Sequence, residues 1–326
     1  MYPLKFEDIL RPIIWGGEEI SRFKQLPEIH PGVGESWEIS QVGDRVSVVS
    51  EGADKGKNLT ELIKRDGAAL LGKHVAERYG EKFPLLIKFI DAHDNLSIQV
   101  HPNDEVAMAR HNSFGKTEMW YVIDAKPGAG LYSGFSQQIT PEEYVERIKN
   151  NTITDVLQFH KVKSGDVFFL PAGRIHAICK GILIAEIQQS SDITYRIYDY
   201  DRRDAQGNPR ELHVEQSIAA VDFKMYDNLR TQYEARNNDA VTLVECPFFE
   251  TNLIEVDKSV KRPVAAHDSF VIYMCMGGKV RLTDNNGYTI TLHQGQTSLV
   301  PAALESVTIE AESPAKLLEC YIPVQK

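Results

Sequence analysis

Cysteine is scarce in this sequence. Only four occur in 326 residues, Cys179, Cys246, Cys275 and Cys320, and none forms a C-x-x-C pair. That excludes a cysteine-built zinc site and a thioredoxin-like redox motif, and it leaves the four as small buried hydrophobes in a reducing compartment. Long apolar runs are missing too: no window approaches the roughly 18 uncharged apolar residues of a membrane span, so no membrane partner is expected. The opening MYPLKFEDILRPIIWGG mixes Lys5, Glu7, Asp8 and Arg11 with apolar positions. No basic stretch followed by an unbroken apolar one can be drawn there, and the cytoplasm is the expected location. Positive charge is in deficit, with 36 Lys and Arg against 46 Asp and Glu and a formal net charge of −10. Nucleic acid is therefore not an expected partner, because its phosphates are held by clustered basic side chains. If a ligand carries a phosphate, the charge that binds it must be local.

What is present is material for a full core. A chain with 42% hydrophobic residues at this length reads as two compact units, since single cores stop growing near this size. Strand-like runs rich in Val, Ile, Phe and Tyr dominate, as in Val46 to Ser50, Leu85 to Ile90, Met119 to Ile123 and Val167 to Leu170. Helices are few and marked by caps. Thr140-Pro141-Glu142-Glu143 reads as a capping box opening a helix to about Asn150. Thr60 before ELIKRDGAALL, Asn103 or Asp104 before EVAMARH, and His213 to Val221 suggest three more.

KSGDVFFLPA from Lys163 and HQGQTSLVPA from His293 share Gly, Pro and Ala at the same offsets, 130 residues apart. Two copies of one half-barrel motif would explain this and make the chain a bicupin: mainly β, with jelly-roll barrels and a few decorating helices. The boundary falls in the polar stretch Tyr226 to Asp239, which divides the chain into 1–230, with helical insertions, and 231–326, a degenerate β domain. Position 176 is His in the first copy and its counterpart is Ser306 in the second. On this reading only the first copy keeps metal chemistry.

The segment LSIQVHPND alternates Ser97, Gln99 and His101 with Ile98 and Val100, so in a strand the three polar residues line one face. Glu118 opens an apolar strand, where a carboxylate is costly to bury without a partner or a metal. His176 follows a buried strand and a Pro-Ala-Gly turn. Each has a plainer reading: a solvated strand face, a strand-end surface Glu, a satisfied core histidine. Together, Gln99, His101, Glu118 and His176 offer two imidazole nitrogens and two oxygens, a set that suits Zn²⁺ with a position left open for water or substrate.

WGG at Trp15, GESWEIS at Gly34, LSIQVHP at Leu96, GKTEMWY at Gly115, LPAGRIHA at Leu170 and EIQQSSDITYRIYDYDR at Glu186 run in order through roughly residues 1 to 215. In this the chain resembles the type I mannose-6-phosphate isomerases in their short bacterial form. The resemblance implies a cupin fold and one Zn²⁺ per chain on the same four residues, Gln99, His101, Glu118 and His176. It also implies a phosphosugar substrate, mannose 6-phosphate interconverted with fructose 6-phosphate through a cis-enediol. Arg196 would stand at the active site, with Asp192 and Glu186 upstream, and Ser97 and Lys116 near the substrate. Asp192, Glu186 and Lys116 are each candidates for the proton-transfer base. Longer eukaryotic relatives place a phosphate-binding lysine six residues beyond the arginine, where this chain has Arg202. A metal-dependent cupin dioxygenase and a non-catalytic phosphosugar-sensing cupin are the alternatives, and the oligomeric state stays open between monomer and homodimer.

Overall fold

All eight residues of the strand Leu85–Ala92 are buried, which requires cover on both faces. Alternate residues divide between two cores. Leu85, Ile87 and Phe89 join one, and Ile90 and Ala92 join the other. The neighbouring strand Glu118–Ala125 splits in the same way, with Met119 and Tyr121 on one side and Trp120 and Val122 on the other. The computed structural model, which describes residues 1–204 and 206–325, shows the cause.

A six-stranded antiparallel sheet runs in the order Val167–Leu170, Glu118–Ala125, Ile182–Gln189, Leu85–Ala92, Val33–Ile39, Ile9–Gly17. Facing one side of it is a five-stranded sheet: Leu157–Lys161, Gly130–Phe135, His176–Ile178, Ile98–Val100, Tyr195–Tyr198. Trp15, Trp120, Leu131 and Ile178 pack between the two. On the other side, Ile87, Phe89 and Met119 share a core with Leu253, Ile272, Met274 and Leu318 of a third sheet. That third sheet takes its strands from Ala240–Glu245 to Ser306–Tyr321, and it also includes Leu4–Lys5, which pairs with Ser298 and Leu299. Its longest strands, Val271–Asp284 and Ser306–Tyr321, shift register around Gly277. Such irregularities bend strands and let a sheet curl, here around a core of its own containing Tyr273, Leu292 and Leu317. The architecture is mainly β and of cupin type, as expected.

The two similar segments adopt one local structure. Gly165 and Gly295 both take positive φ, 88° and 79°, a conformation glycine allows without strain. The strands Val167–Leu170 and Thr297–Val300 follow, Pro171 and Pro301 end them, and the next strands begin at His176 and Ser306.

The helices cover sheet faces. Thr140 caps Pro141–Lys149, which buries Tyr144 and Ile148 against Phe135 and Ile153 on the outer side of the five-stranded sheet; each large apolar side chain buried there contributes about 1.5–3 kcal/mol. The Glu143 carboxylate goes to Arg147 instead of returning to the cap. Elsewhere the expected boundaries shift. Asn58, not Thr60, caps Leu59–Asp66 in a reciprocal box with Glu61, because its amide side chain reaches the Glu61 N–H one turn earlier. Gly67 then separates that helix from Ala68–Leu71. Asn103 is the cap of Asp104–His111, and the last predicted helix is the short Val214–Ile218. Glu19–Phe23 and Lys73–Tyr79 are helices that the caps did not announce.

Candidate metal centre

Directly paired residues in a sheet point to the same side, so the ladders place functional side chains in rows. Across the five-stranded sheet Ser133 pairs with His176, His176 with Gln99, and Gln99 with Arg196. Across the six-stranded sheet Trp120 pairs with Glu186, Glu186 with Lys88, and Lys88 with Trp37. The two rows face each other over a cavity of about 350 Å³.

Behind the Gln99, Lys116 and Trp120 wall of the cavity, His101, Glu118 and His176 bring their ligand atoms within 4.8 Å of one another. Glu118 Oε2 is 3.5 Å from His101 Nε2, and its Oε1 is 3.3 Å from His176 Nε2. The second nitrogen of each ring is engaged, His101 Nδ1 donating to the Ile193 carbonyl at 2.9 Å and His176 Nδ1 to that of Arg174 at 2.8 Å. Both Nε2 lone pairs are thereby aimed inward, the usual orienting device behind a metal-bound histidine. The Gln99 amide nitrogen lies 3.3 Å from His176 Nε2, and half a turn of that amide presents its oxygen to the same point. Glu118 is fully buried, and neither carboxylate oxygen accepts a hydrogen bond. The Lys116 ammonium offsets the charge of that carboxylate from 3.0 Å without an aligned hydrogen bond, and a divalent cation between the carboxylate and two inward imidazoles would give both oxygens the partners a buried carboxylate needs. The donor set fits such an ion.

Burial dominates the electrostatics. It holds His101 well below its ordinary pKa, helped by the Lys116 ammonium and by His176, and it pushes His176 down to about 3. Both rings are neutral, as ligands must be. Burial, then the neighbouring Glu186 charge, pushes the Glu118 carboxyl up to about 7 against the pull of Lys116. Lys116 Nζ lies 3.0 Å from Glu118 Oε2, close enough to pair but not aligned as a hydrogen bond.

Of the other expected site residues, Ser97 is buried and lines the cavity with Lys116, Glu186, Asp192 and Arg196. Arg196 is half-buried. It donates to the Glu211 carbonyl at 3.0 Å, and its buried Nε has no acceptor among the described residues. Arg202 lies elsewhere, against the Asn95 carbonyl, Asp94 and Asp199, and lines a separate pocket.

Sequence reasoning missed Lys88, Glu35, Trp37 and Arg11, which all line the cavity. Buried Lys88 contacts Glu186 at 3.1 Å and Glu35 at 3.9 Å, while Glu186 accepts from Trp120 Nε1 at 2.9 Å. Burial works against the Lys88 ammonium, but Glu35, Glu186 and Glu118 overbalance it and keep its pKa raised. The signal available was a lysine in the middle of the run LLIKFIDA, apolar but for Lys88 and Asp91. Six basic and three acidic side chains line the cavity of a chain whose net charge is −10, so the site is a local positive field that can focus an anion.

Two family models match the chain: phosphomannose isomerase type I, catalytic domain, over residues 4–127, and mannose-6-phosphate isomerase, cupin domain, over residues 239–317. The mannose-6-phosphate isomerase ManA of Bacillus subtilis is 35% identical over 313 residues, covering 94% of this chain and 96% of its own. A Streptococcus mutans mannose-6-phosphate isomerase is 37% identical over 282 residues, covering 86% and 87%. Among solved structures, the mannose 6-phosphate isomerase from Bacillus subtilis superposes with a TM-score of 0.89 at 31% identity, covering 99% of this chain and all of the other.

Proposed function

The chain belongs to the type I mannose-6-phosphate isomerases, which are aldose-ketose isomerases, and on that footing we propose that it interconverts mannose 6-phosphate and fructose 6-phosphate with one Zn²⁺ held by Gln99, His101, Glu118 and His176. The observation that carries the metal is the buried carboxylate of Glu118, without an aligned hydrogen bond on either oxygen, between two inward-facing imidazoles. When bound, the ion supplies a Lewis acid at the sugar carbonyl, where negative charge develops.

The chain's own residues do the rest. Lys88 and Trp120 hold Glu186 as a fixed anion: burial raises its pKa, but Lys88 and Lys116 outweigh that and keep it lowered. Arg196, one ladder position from Gln99 and with a free Nε, steadies charge on the sugar oxygens. Ser97 orients a hydroxyl. Asp192, exposed on the cavity wall, takes the proton from carbon 2, and it returns to carbon 1 of the cis-enediol. Lys116, beside Glu118, is a second candidate for moving a proton in the cavity. We assign this chemistry to residues 1–230 and a supporting role to 231–326. Four buried free thiols accord with the reducing cytoplasm.

A coupled assay for fructose 6-phosphate formed from mannose 6-phosphate tests the reading. Activity in the wild type supports it. Arg196→Ala is expected to cut turnover far more than metal content, and equal loss of both would make Arg196 a structural residue.

A further inference from the structure

The cavity has two ends, and they differ in chemistry. Along the floor, Trp120, Glu186, Lys88 and Trp37 stand on four successive strands. With strands about 4.8 Å apart, Trp37 is roughly 10 Å from Glu186 and farther from the Glu118 strand. An open-chain hexose 6-phosphate, built from bonds of about 1.5 Å, extends roughly 9 Å from its carbonyl carbon to phosphorus. The Glu118 strand is three spacings, about 14 Å, from the Trp37 strand, so a sugar whose carbonyl lies toward the metal end points its phosphate at Trp37 and leaves about 5 Å to be spanned by the basic side chains that line the cavity there.

Two guanidinium groups wait there. Arg11 lies over the Trp37 ring with its central carbon 4.7 Å from the ring centroid, and Arg45 lies at 5.7 Å. Arg11 enters no ion pair among the described residues, and Arg45 pairs only with its chain neighbour Asp44, itself 88% exposed, at 3.3 Å. The other arginines nearby are paired, outside the cavity or at its other end. Arg210 forms a two-pronged pair with Asp199 at 2.5 and 2.7 Å, Arg202 is outside the cavity, and Arg196 is beside Gln99 at the reacting end. Trp37 is itself fixed, its Nε1 donating to Glu35 at 2.7 Å. A stacked guanidinium on a fixed indole keeps its donors pre-aimed, which suits a phosphate monoester.

We propose that Arg11 and Arg45, carried on the Trp37 ring at the outer end of the cavity, bind the phosphoryl group of the substrate and select phosphorylated over free sugars. The inference rests on the phosphosugar reading above and adds the residues that recognise the phosphate. Because the shelf is remote from the reacting carbons, its binding energy acts on ground and transition states alike.

The test uses the full-length, metal-loaded chain with Arg11→Ala, Arg45→Ala and the double variant. Two measurements are made: steady-state kinetics with mannose 6-phosphate, and inhibition and direct binding of inorganic phosphate followed by ³¹P NMR. The expected result is a KM raised tenfold or more in each variant, kcat within threefold of wild type, and phosphate binding weakened in parallel, with partial recovery in Arg11→Lys. Unchanged KM and unchanged phosphate binding in the double variant would overturn the proposal. So would a fall in kcat and melting temperature with phosphate binding intact, since that marks a structural role. If the wild type itself does not isomerise mannose 6-phosphate, the functional reading fails by that observation alone, while the phosphate titration still reports on the shelf.

Discussion

Lys116 Nζ stands 3.0 Å from Glu118 Oε2 and 3.1 Å from His101 Nε2, so a lysine ammonium shares two of the atoms assigned to the metal. Two cations at this range repel. Lys116→Met is expected to tighten metal binding by about tenfold or more, ~1.4 kcal/mol, while lowering isomerase turnover. Competition against a chromogenic chelator measures the first and the coupled assay the second. Weaker metal binding in the variant would mean that Lys116 organises the ligands instead of opposing the ion.

The two buried imidazoles make stability depend on pH. Their folded pKa values lie below the unfolded value of about 6.5, with His176 near 3. As pH falls the unfolded chain takes up protons first, so the His176 contribution is full above about pH 6.5 and is lost toward pH 3, by roughly 1.4 kcal/mol per pH unit, and His101 acts in the same direction. Glu118, pushed up to about 7, takes up a proton in the folded chain over the same range and opposes the rings, so the readout is a difference: denaturant titrations of the metal-free proteins between pH 7 and 4.5 should show His176→Gln losing less stability on acidification than wild type. The same pH dependence in wild type and His176→Gln would contradict burial of a neutral His176 ring.

Lys88 and Glu186 are both buried, at 5% and 3% exposure, and 3.1 Å apart. Breaking such a pair from one side strands a charge and typically costs 3–5 kcal/mol, whereas replacing both partners costs much less. Lys88→Met is therefore expected to lower the melting temperature clearly, and Lys88→Met with Glu186→Gln to recover much of the loss. Additive losses would show that the two side chains do not act as a pair.

The residues that cluster at the candidate metal site were legible because local rules reach them. Period-two alternation puts Gln99 and His101 on one face of Ile98–Val100, and a carboxylate at the head of the apolar strand Glu118–Ala125 asks for compensation. Lys88 was not legible as a site residue, because its partner Glu186 is 98 residues away and meets it only through the order of the sheet. Arg11 reads in the sequence as one charge in a mixed amino-terminal stretch. It becomes a cavity residue because Ile9–Gly17 is the edge strand beside Val33–Ile39. Counting six residues on from Arg196 gives no location for Arg202, because Tyr200 and Asp201 both take positive φ, 56° and 52°, just beyond the strand Tyr195–Tyr198. The chain turns there and carries Arg202 out of the cavity. Helix starts moved by a residue or two where Asn58 could cap better than Thr60.

The account turns on a divalent cation at Glu118 and its two imidazoles. The most direct measurement is elemental analysis and isomerase rate on one sample, taken as isolated, after exhaustive chelation, and during back-titration with Zn²⁺. The account predicts that the rate vanishes with the metal, returns linearly and saturates at one ion per chain, and that Glu118→Ala neither binds the ion nor recovers. A rate that survives verified metal removal, or one restored fully in Glu118→Ala, would contradict it.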